Sequence, residues 1–546
     1  MASRRAACLA FGIGFCAMTA AASIRAQEAT IRLVGDCAAL KGFAVPASAI
    51  GLPTGGATVE TAVAVAASEP RNVNGDFCKL TGIIKNATAS TAVFEFEVNL
   101  PDTWNGRALQ MGGGGYDGSL VQATGPYALQ PAGEDTPLKR GYVTLGSNGG
   151  HRGGPGFDGL FGLDDEALLN YGKQSIKKTH DVAMAIIRKA YGRAPRRFYF
   201  IGGSQGGHEA LDAAARYPDD YDGVVAHFPA YNVTLLHLGS WNVGRALYAD
   251  NGAGWMDAAH VKLMTDAVMA QCDGLDGAKD GIISNVAACN ATFAVKTLRC
   301  ANGGSGDHCL SDAQLRAVAR ITADYRPGIS VAGMDTFPKW PLLEGAQFAG
   351  ASNFGKVSQP SNPLSGMEPL LYSVGDATIK FIITRDPKFD TLRFNPKDYK
   401  ARVTAVAAIM DVTDQSLARF RAKGGKVIMT HGTADDFITP HNSIAYYKRQ
   451  LAQFGPSGLD SFLRFYVIPG LGHGFGAFNA KFDALPALER WVEGGKAPSG
   501  LIATDGNPNA NRTRPLCDYP KYPKFTGETG TENSAASFTC VAPTDR

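Results

Sequence analysis

Apolar and polar side chains alternate along Ala92-Val93-Phe94-Glu95-Phe96-Glu97-Val98 with a period of two, as expected of a half-buried strand. Ala108-Leu109-Gln110-Met111, Tyr142-Val143-Thr144-Leu145 and Arg197-Phe198-Tyr199-Phe200-Ile201 are short apolar runs bounded by turn residues, and predict buried strands. Helical spacing predicts one long helix from Asp165 to Tyr191 and another from Glu209 to Tyr217. Between about 104 and 230 the order strand, glycine turn, helix recurs, which predicts an α/β fold with a mostly parallel sheet covered on both faces. The rhythm breaks after Ala230. Residues of about 231–395 hold helical patches, four cysteines, Trp241, Trp255, Trp340 and many Pro/Gly turns. Strand periodicity returns at Lys426–Thr430 and Phe462–Ile468, residues 482–494 are helical in pattern, and the tail from about 500 is irregular. The simplest organisation is one α/β core, residues 27–230 and 396–546, interrupted by an insertion at 231–395 that lies over the sheet's carboxyl edge as a lid.

The amino terminus changes the charge picture. Arg4 and Arg5 precede an apolar run from Ala6 to Ala22, and Ala26 offers a small residue before Gln27, so residues 1–26 are expected to be a cleaved secretory signal peptide. Removing Arg4, Arg5 and Arg25 takes 53 basic side chains down to 50, matched by 50 acidic ones. A mature chain near neutrality is not expected to bind nucleic acid or an anionic membrane. With 45% hydrophobic and 19% charged residues, the chain is globular rather than disordered. Once Cys8 and Cys16 leave with the leader, eight cysteines remain, an even set that suggests four disulfides in an exported chain but permits 105 pairings. No C-x-x-C occurs, so thiolate zinc and dithiol redox chemistry have no support. The expected location is secreted or periplasmic.

Gly202-Gly203-Ser204-Gln205-Gly206 fits G-x-S-x-G between a strand and a helix, the context of a nucleophile elbow. Ser204 needs a base, and the base an orienting carboxylate. His473 sits in a glycine-flanked loop after the last core strand; His431 and His441 flank the strand before it, and Asp435 and Asp436 follow that strand. The order Ser204, Asp435, His473 places each residue at a strand's carboxyl end. Asp435 is favoured over Asp436, and His208, on the helix after Ser204, is expected to pack rather than react. The Gln205 amide supplies one oxyanion donor, and Gly112–Gly115 after the Ala108–Met111 strand a second. Gly113 to Gly118 also spells G-x-G-x-x-G, but with no helix opening there and no acid at the required distance, nucleotide binding is disfavoured.

The segment Cys272-Asp273-Gly274-Leu275-Asp276-Gly277-Ala278-Lys279-Asp280-Gly281-Ile282 spaces three aspartates among glycines. A tightly turning loop of carboxylates and carbonyls suits Ca²⁺, although the EF-hand's closing glutamate is missing, and a solvated Asp-Gly turn is the alternative. Cys289 is placed to bridge to Cys272 and fasten this loop.

Together with Tyr217–Ala226 and His431-Gly432-Thr433-Ala434-Asp435, these motifs resemble the tannase/feruloyl esterase family from about residue 35 to the carboxyl terminus. The resemblance implies an exported serine esterase with an α/β-hydrolase core, a lid inserted after the nucleophile helix, and structural Ca²⁺ in the lid. It assigns Ser204 as nucleophile, His473 as base and Asp435 as orienting acid, with oxyanion amides from Gln205 and Gly114. It implies Ca²⁺ on Asp273, Asp276 and Asp280 with the Ala278 and Ile282 carbonyls. It also implies the disulfides Cys37–Cys78, Cys272–Cys289, Cys300–Cys309 and Cys517–Cys540. One departure is plain: the family's bridge beneath the triad joins the positions held here by Gly203 and Gly474.

The expected activity is therefore hydrolysis of a small aromatic ester, of feruloyl, galloyl or terephthalate monoester type, with lid aromatics lining the acyl pocket. The alternatives are an esterase for short aliphatic or polyester-derived esters, a non-catalytic binding protein on the same fold, and a dipeptidyl-type serine peptidase.

Overall fold

A computed structural model of the chain describes residues 31–154, 157–346, 348, 354–412 and 416–543. The leader expected at 1–26 lies outside the described residues.

A ten-stranded sheet runs through the molecule: β1 (Ala44–Val45), β2 (Ala57–Val65), β3 (Phe77–Ile84), β4 (Phe94–Pro101), β5 (Arg107–Met111), β6 (Val143–Ser147), β7 (Arg197–Gly203), β8 (Gly223–His227), β9 (Lys426–Gly432) and β10 (Leu463–Ile468). The spatial order is β1-β2-β3-β4-β6-β5-β7-β8-β9-β10. From β1 to β6 neighbours run antiparallel; β6, β5, β7, β8, β9 and β10 are parallel. The chain runs from β5 to β6 on one side and then crosses back past β5 to β7 on the other, and such a reversal opens a crevice at the carboxyl ends of parallel strands.

Alternation along the strands separates two cores. Phe198 and Phe200 face a layer that includes Val182, Ile186 and Ile187, whereas Tyr199 and Ile201 face one that includes Leu485, Leu488 and Trp491. The parallel strands are therefore predominantly apolar on both faces, as in β7 and β8. The first layer is built from α2 (Ser175–Tyr191) and α3 (Gln205–Arg216). The long helix expected from Asp165 is broken: α1 (Asp165–Leu169), capped by Asp164 Oδ1 on the Glu166 and Ala167 amides, passes through a π-helical turn (Asn170–Gln174) before α2 begins. Gly192, at φ 70°, ends α2 in the left-handed region that glycine favours.

Between β8 and β9 stand α4 (Val233–Gly252), α5 (Ala258–Cys272), α6 (Val286–Thr292), α7 (Asp312–Ile321), α8 (Leu370–Ala377), α9 (Lys400–Met410) and the short α10 (Ala418–Ala422). Asp257 caps α5, and Ser311 with Gln314 forms a capping box on α7. Trp241, Val318, Ile379 and Val406 share one core with Tyr116, Phe161 and Tyr171, so the helical segment packs onto the loops after β5 and β6. That core includes α9, past residue 395. After β9 come α11 (Pro440–Asp460), β10 and α12 (Ala484–Gly494). The tail is more regular than its sequence suggests: β11 (Ala480–Lys481), β12 (Ile502–Asp505) and β13 (Thr513–Pro515) form one small antiparallel sheet, β14 (Tyr522–Phe525) and β15 (Phe538–Val541) another. The disulfides are Cys37–Cys78, Cys272–Cys289, Cys300–Cys309 and Cys517–Cys540. Among the described residues, no helix is long and apolar enough to cross a membrane.

Candidate active site

β7 delivers its chain into a sharp turn. Ser204, at φ 61° and ψ −123°, stands between the strand and α3 in a conformation that side chains rarely adopt. The turn is held from both sides: the Ser204 amide donates to the His227 carbonyl at 3.1 Å, and the Ala230 amide donates to the Ser204 carbonyl at 3.0 Å. Close approach sets the glycines here, since a Cβ at Gly202 would lie 2.4 Å from the Gly206 carbonyl.

Two later strands end beside this turn. Three residues past β9, the buried Asp435 accepts from the Phe437 and Ile438 amides through Oδ1, at 2.9 and 2.8 Å. Its Oδ2 lies 2.9 Å from Nδ1 of His473, which follows β10, and His473 Nε2 lies 3.0 Å from Ser204 Oγ. Burial pushes the Asp435 carboxyl up, but the charge of His473 and hydrogen bonds from His431 and His473 hold it well below the usual carboxylate range. Burial lowers the His473 pKa, and the adjacent Asp435 more than reverses this, so the imidazole sits above its ordinary value.

The other candidates stand elsewhere. His431 is fully buried, with Nδ1 2.7 Å from Ser443 Oγ and Nε2 2.8 Å from the Ile438 carbonyl; it touches Asp435, not Ser204. His441 pairs with Glu344 at 2.7 Å. His208 packs in the core, where burial lowers it to about 3.

Of the expected oxyanion donors, Gln205 heads α3, whose first amides have no carbonyl one turn back. In the loop after β5, the Gly113 amide is committed to Glu209 Oε2 at 2.8 Å, and Gly114, the expected second donor, is the next residue. Asp117 lies against the same loop, and its carboxyl is pushed well above the carboxylate range by burial and by Glu209. Glu209, buried on α3, is raised to about 7. Glu209 thus braces the backbone behind Ser204, a feature that nothing in the motif spacing announced.

In the 272–282 loop, Asp273 Oδ1 accepts from the Gly281 amide at 3.0 Å, and the Asp276 oxygens from the Ala278 and Ser284 amides at 3.0 and 3.1 Å. Asp280 takes the Ile282 amide at 3.1 Å and an ion pair from Arg514. The oxygens are hard donors of the kind Ca²⁺ takes and each carboxylate retains spare lone pairs, although the three carboxylates do not converge within 4.8 Å of one another. Arg514 competes for one oxygen of Asp280. Among the described residues, the cluster of three acidic or histidine ligands that converges within 4.8 Å is His180, Asp181 and Asp220, where the Lys177 ammonium already bridges the two aspartates at 2.7 and 2.9 Å.

Trp241 and Trp340 are buried in the helical core, and the Trp255 ring N–H donates to the Phe354 carbonyl. The aromatic surroundings of His473 come instead from loops of the sheet's carboxyl edge. The Phe228 and Phe437 rings stand 4.8 and 5.2 Å from the imidazole, Phe157 stands 5.8 Å from Phe437, and Phe475 is 64% exposed. Isolated phenylalanines in loops carry no periodic signal, so sequence pattern did not find them.

This sheet, with a serine, a histidine and an aspartate converging at its carboxyl edge, is that of an α/β-hydrolase. The family model for tannase and feruloyl esterase matches residues 78–541, and the chain belongs to that family. An uncharacterized esterase of Agrobacterium fabrum is 36% identical over 521 residues, covering 93% of each chain. Mono(2-hydroxyethyl) terephthalate hydrolase of Piscinibacter sakaiensis is 32% identical over 540 residues, covering 88% of this chain and 86% of that one. The crystal structure of feruloyl esterase B from Aspergillus oryzae superposes with a TM-score of 0.74 at 25% identity, covering 93% of this chain and all (100%) of that one. The protein is a carboxylic ester hydrolase.

Proposed function

We propose that the protein is an exported serine esterase that cleaves esters of small aromatic carboxylic acids through an acyl-enzyme on Ser204. The observation that carries this reading is the continuous chain Ser204 Oγ, His473, Asp435 at 3.0 and 2.9 Å. Ser204 Oγ attacks the ester carbonyl while His473 Nε2 takes its proton; Asp435 keeps the other ring proton on Nδ1 and stabilises the imidazolium that forms. The tetrahedral oxyanion is met by the Gln205 and Gly114 amides. His473 then returns the proton to the departing alcohol, and a water activated by the same imidazole releases the acid.

Two features support an aromatic acyl group. Phe157 and Phe437 are half-buried and Phe475 exposed around the catalytic imidazole, offering ring faces at the mouth of the site. The similar proteins include ones named for feruloyl and terephthalate esters. The helices between β8 and β9 serve as the lid, fastened beside Asp435 by the Thr439 hydroxyl on the Lys339 carbonyl at 2.6 Å. Export is supported by the leader pattern and the four disulfides. Asp273, Asp276 and Asp280, with the Ala278 and Ile282 carbonyls, would hold a structural Ca²⁺; the Ile282 side chain packs beneath Gly470, where the His473 loop begins, so an ordered loop steadies the base.

The test is release of free acid from methyl ferulate, methyl gallate, mono(2-hydroxyethyl) terephthalate and p-nitrophenyl butyrate by wild type and Ser204→Ala. Turnover of an aromatic ester that vanishes in the variant is expected. Turnover of the butyrate alone would replace the aromatic assignment with an aliphatic one, and turnover by Ser204→Ala would overturn the mechanism.

A further inference from the structure

A glycine adjoins each member of the pair: Gly203 precedes Ser204 and Gly474 follows His473. One side chain touches both. A Cβ built on Gly203 would lie 2.8 Å from Phe228 Cε2 and 2.9 Å from Cζ, and one built on Gly474 would lie 3.7 Å from the same Cζ. The Phe228 ring therefore fills the volume between the two glycines, and its centroid stands 4.8 Å from the His473 imidazole at an interplanar angle of 58°.

The backbone that carries this ring is fixed more firmly than a loop requires. Phe228 follows β8, the strand between the nucleophile's strand β7 and the acid's strand β9. Its amide donates to the Thr430 carbonyl of β9 at 2.6 Å, while the residues on either side hold the serine turn, through the His227 carbonyl and the Ala230 amide. Phe228 adopts φ 34°, in the left-handed region that a β-carbon disfavours, and such strain persists only where surrounding structure imposes it. The side chain is 5% exposed, too buried to serve as a wall for substrate, unlike Phe475.

We propose that Phe228 is a positioning residue whose ring braces the His473 loop against the serine turn, in the volume between Gly203 and Gly474. The ring does no chemistry. It limits the imidazole's travel, so that Nε2 remains within hydrogen-bonding reach of Oγ when substrate arrives, and it excludes water from the inner face of the imidazole. An error of a fraction of an ångström in that distance is expensive in rate. The proposal rests on the Ser204–His473 reading given above.

The experiment compares wild type, Phe228→Ala, Phe228→Leu, Gly203→Ala and the double variant Gly203→Ala/Phe228→Ala, with Ser204→Ala as the mechanistic control. For each, kcat and KM on p-nitrophenyl butyrate, the rate and stoichiometry of labelling by diethyl p-nitrophenyl phosphate, and the thermal midpoint are measured. Phe228→Ala is expected to lose 10- to 100-fold in kcat and in labelling rate, with KM changed less than threefold and one site per chain still labelled at completion. Phe228→Leu, which refills most of the volume, is expected to recover at least half of that loss on a logarithmic scale. Gly203→Ala, whose methyl collides with the ring, is expected to lower kcat in wild type but to raise it in the Phe228→Ala background. Should Phe228→Ala fold poorly, the Leu variant and the sign reversal of Gly203→Ala decide the matter. Unchanged kcat in Phe228→Ala, additive effects of the two alanine substitutions, or a loss confined to KM would each overturn the proposal. Activity in Ser204→Ala would instead overturn the mechanism on which it rests.

Discussion

His473 Nε2 lies 3.0 Å from Ser204 Oγ although 269 residues separate the two in the chain. The sheet closes that gap. Ser204 leaves β7 and His473 follows β10, and both strands end at the same edge because β7, β8, β9 and β10 run parallel. Rate should depend steeply on this pair. Ser204→Ala is expected to lower kcat on the order of 10⁵- to 10⁶-fold with little change in thermal midpoint, and His473→Ala to cost a similar factor, since members of such a unit do not contribute additively. Steady-state kinetics beside a melting curve checks both.

The pH profile follows from the sign of the His473 shift. Asp435 stabilises the imidazolium and raises the histidine above its ordinary 6.5. The proposed mechanism needs the neutral ring as base, so kcat/KM should be low in acid and rise with pH through a midpoint above 6.5. Asp435→Asn removes the attraction that raises the pKa, so the limb should move to lower pH while kcat falls by about 10⁴-fold, as the ring loses its oriented tautomer. A midpoint that stays put in the variant would show that Asp435 does not set it.

Glu209 makes a structural prediction that the triad does not. Its carboxyl takes the Gly113 amide inside a buried site. Glu209→Ala leaves that amide unpaired and should cost about 1–3 kcal/mol of stability. Glu209→Gln keeps an acceptor of the same size and should cost less. Chemical denaturation of the two variants separates the lost hydrogen bond from the lost charge.

If Ca²⁺ binds the 272–282 loop, it stabilises the fold by mass action. Free ion at about a hundredfold above Kd contributes about 2.7 kcal/mol, so the thermal midpoint should rise with added Ca²⁺ and fall under chelation. Asp276→Ala should abolish that dependence. A midpoint indifferent to Ca²⁺ and to chelator would mean that Asp273, Asp276 and Asp280 serve only as the turn acceptors seen here.

The elbow was legible in sequence because G-x-S-x-G stood between an apolar strand and a helix, and His473 and Asp435 because each follows a strand by a few residues. Local pattern failed where tertiary packing decides. The 165–191 helix reads as continuous, yet a π turn interrupts it at Asn170–Gln174, where the segment packs against α9. Trp241 and Trp340 stood out in a segment with no clear periodicity, and the structure uses their large apolar rings to build the helical core. Phe228 and Glu209 gained meaning only once β5, β7, β8 and β9 brought their loops together.

The most direct test of the central claim is pre-steady-state hydrolysis of a p-nitrophenyl aromatic ester, with the quenched protein analysed by mass spectrometry. The account predicts a burst of one p-nitrophenol per chain and an acyl adduct on Ser204, both absent in Ser204→Ala. A burst with the adduct on another residue, or undiminished turnover in Ser204→Ala, would contradict it.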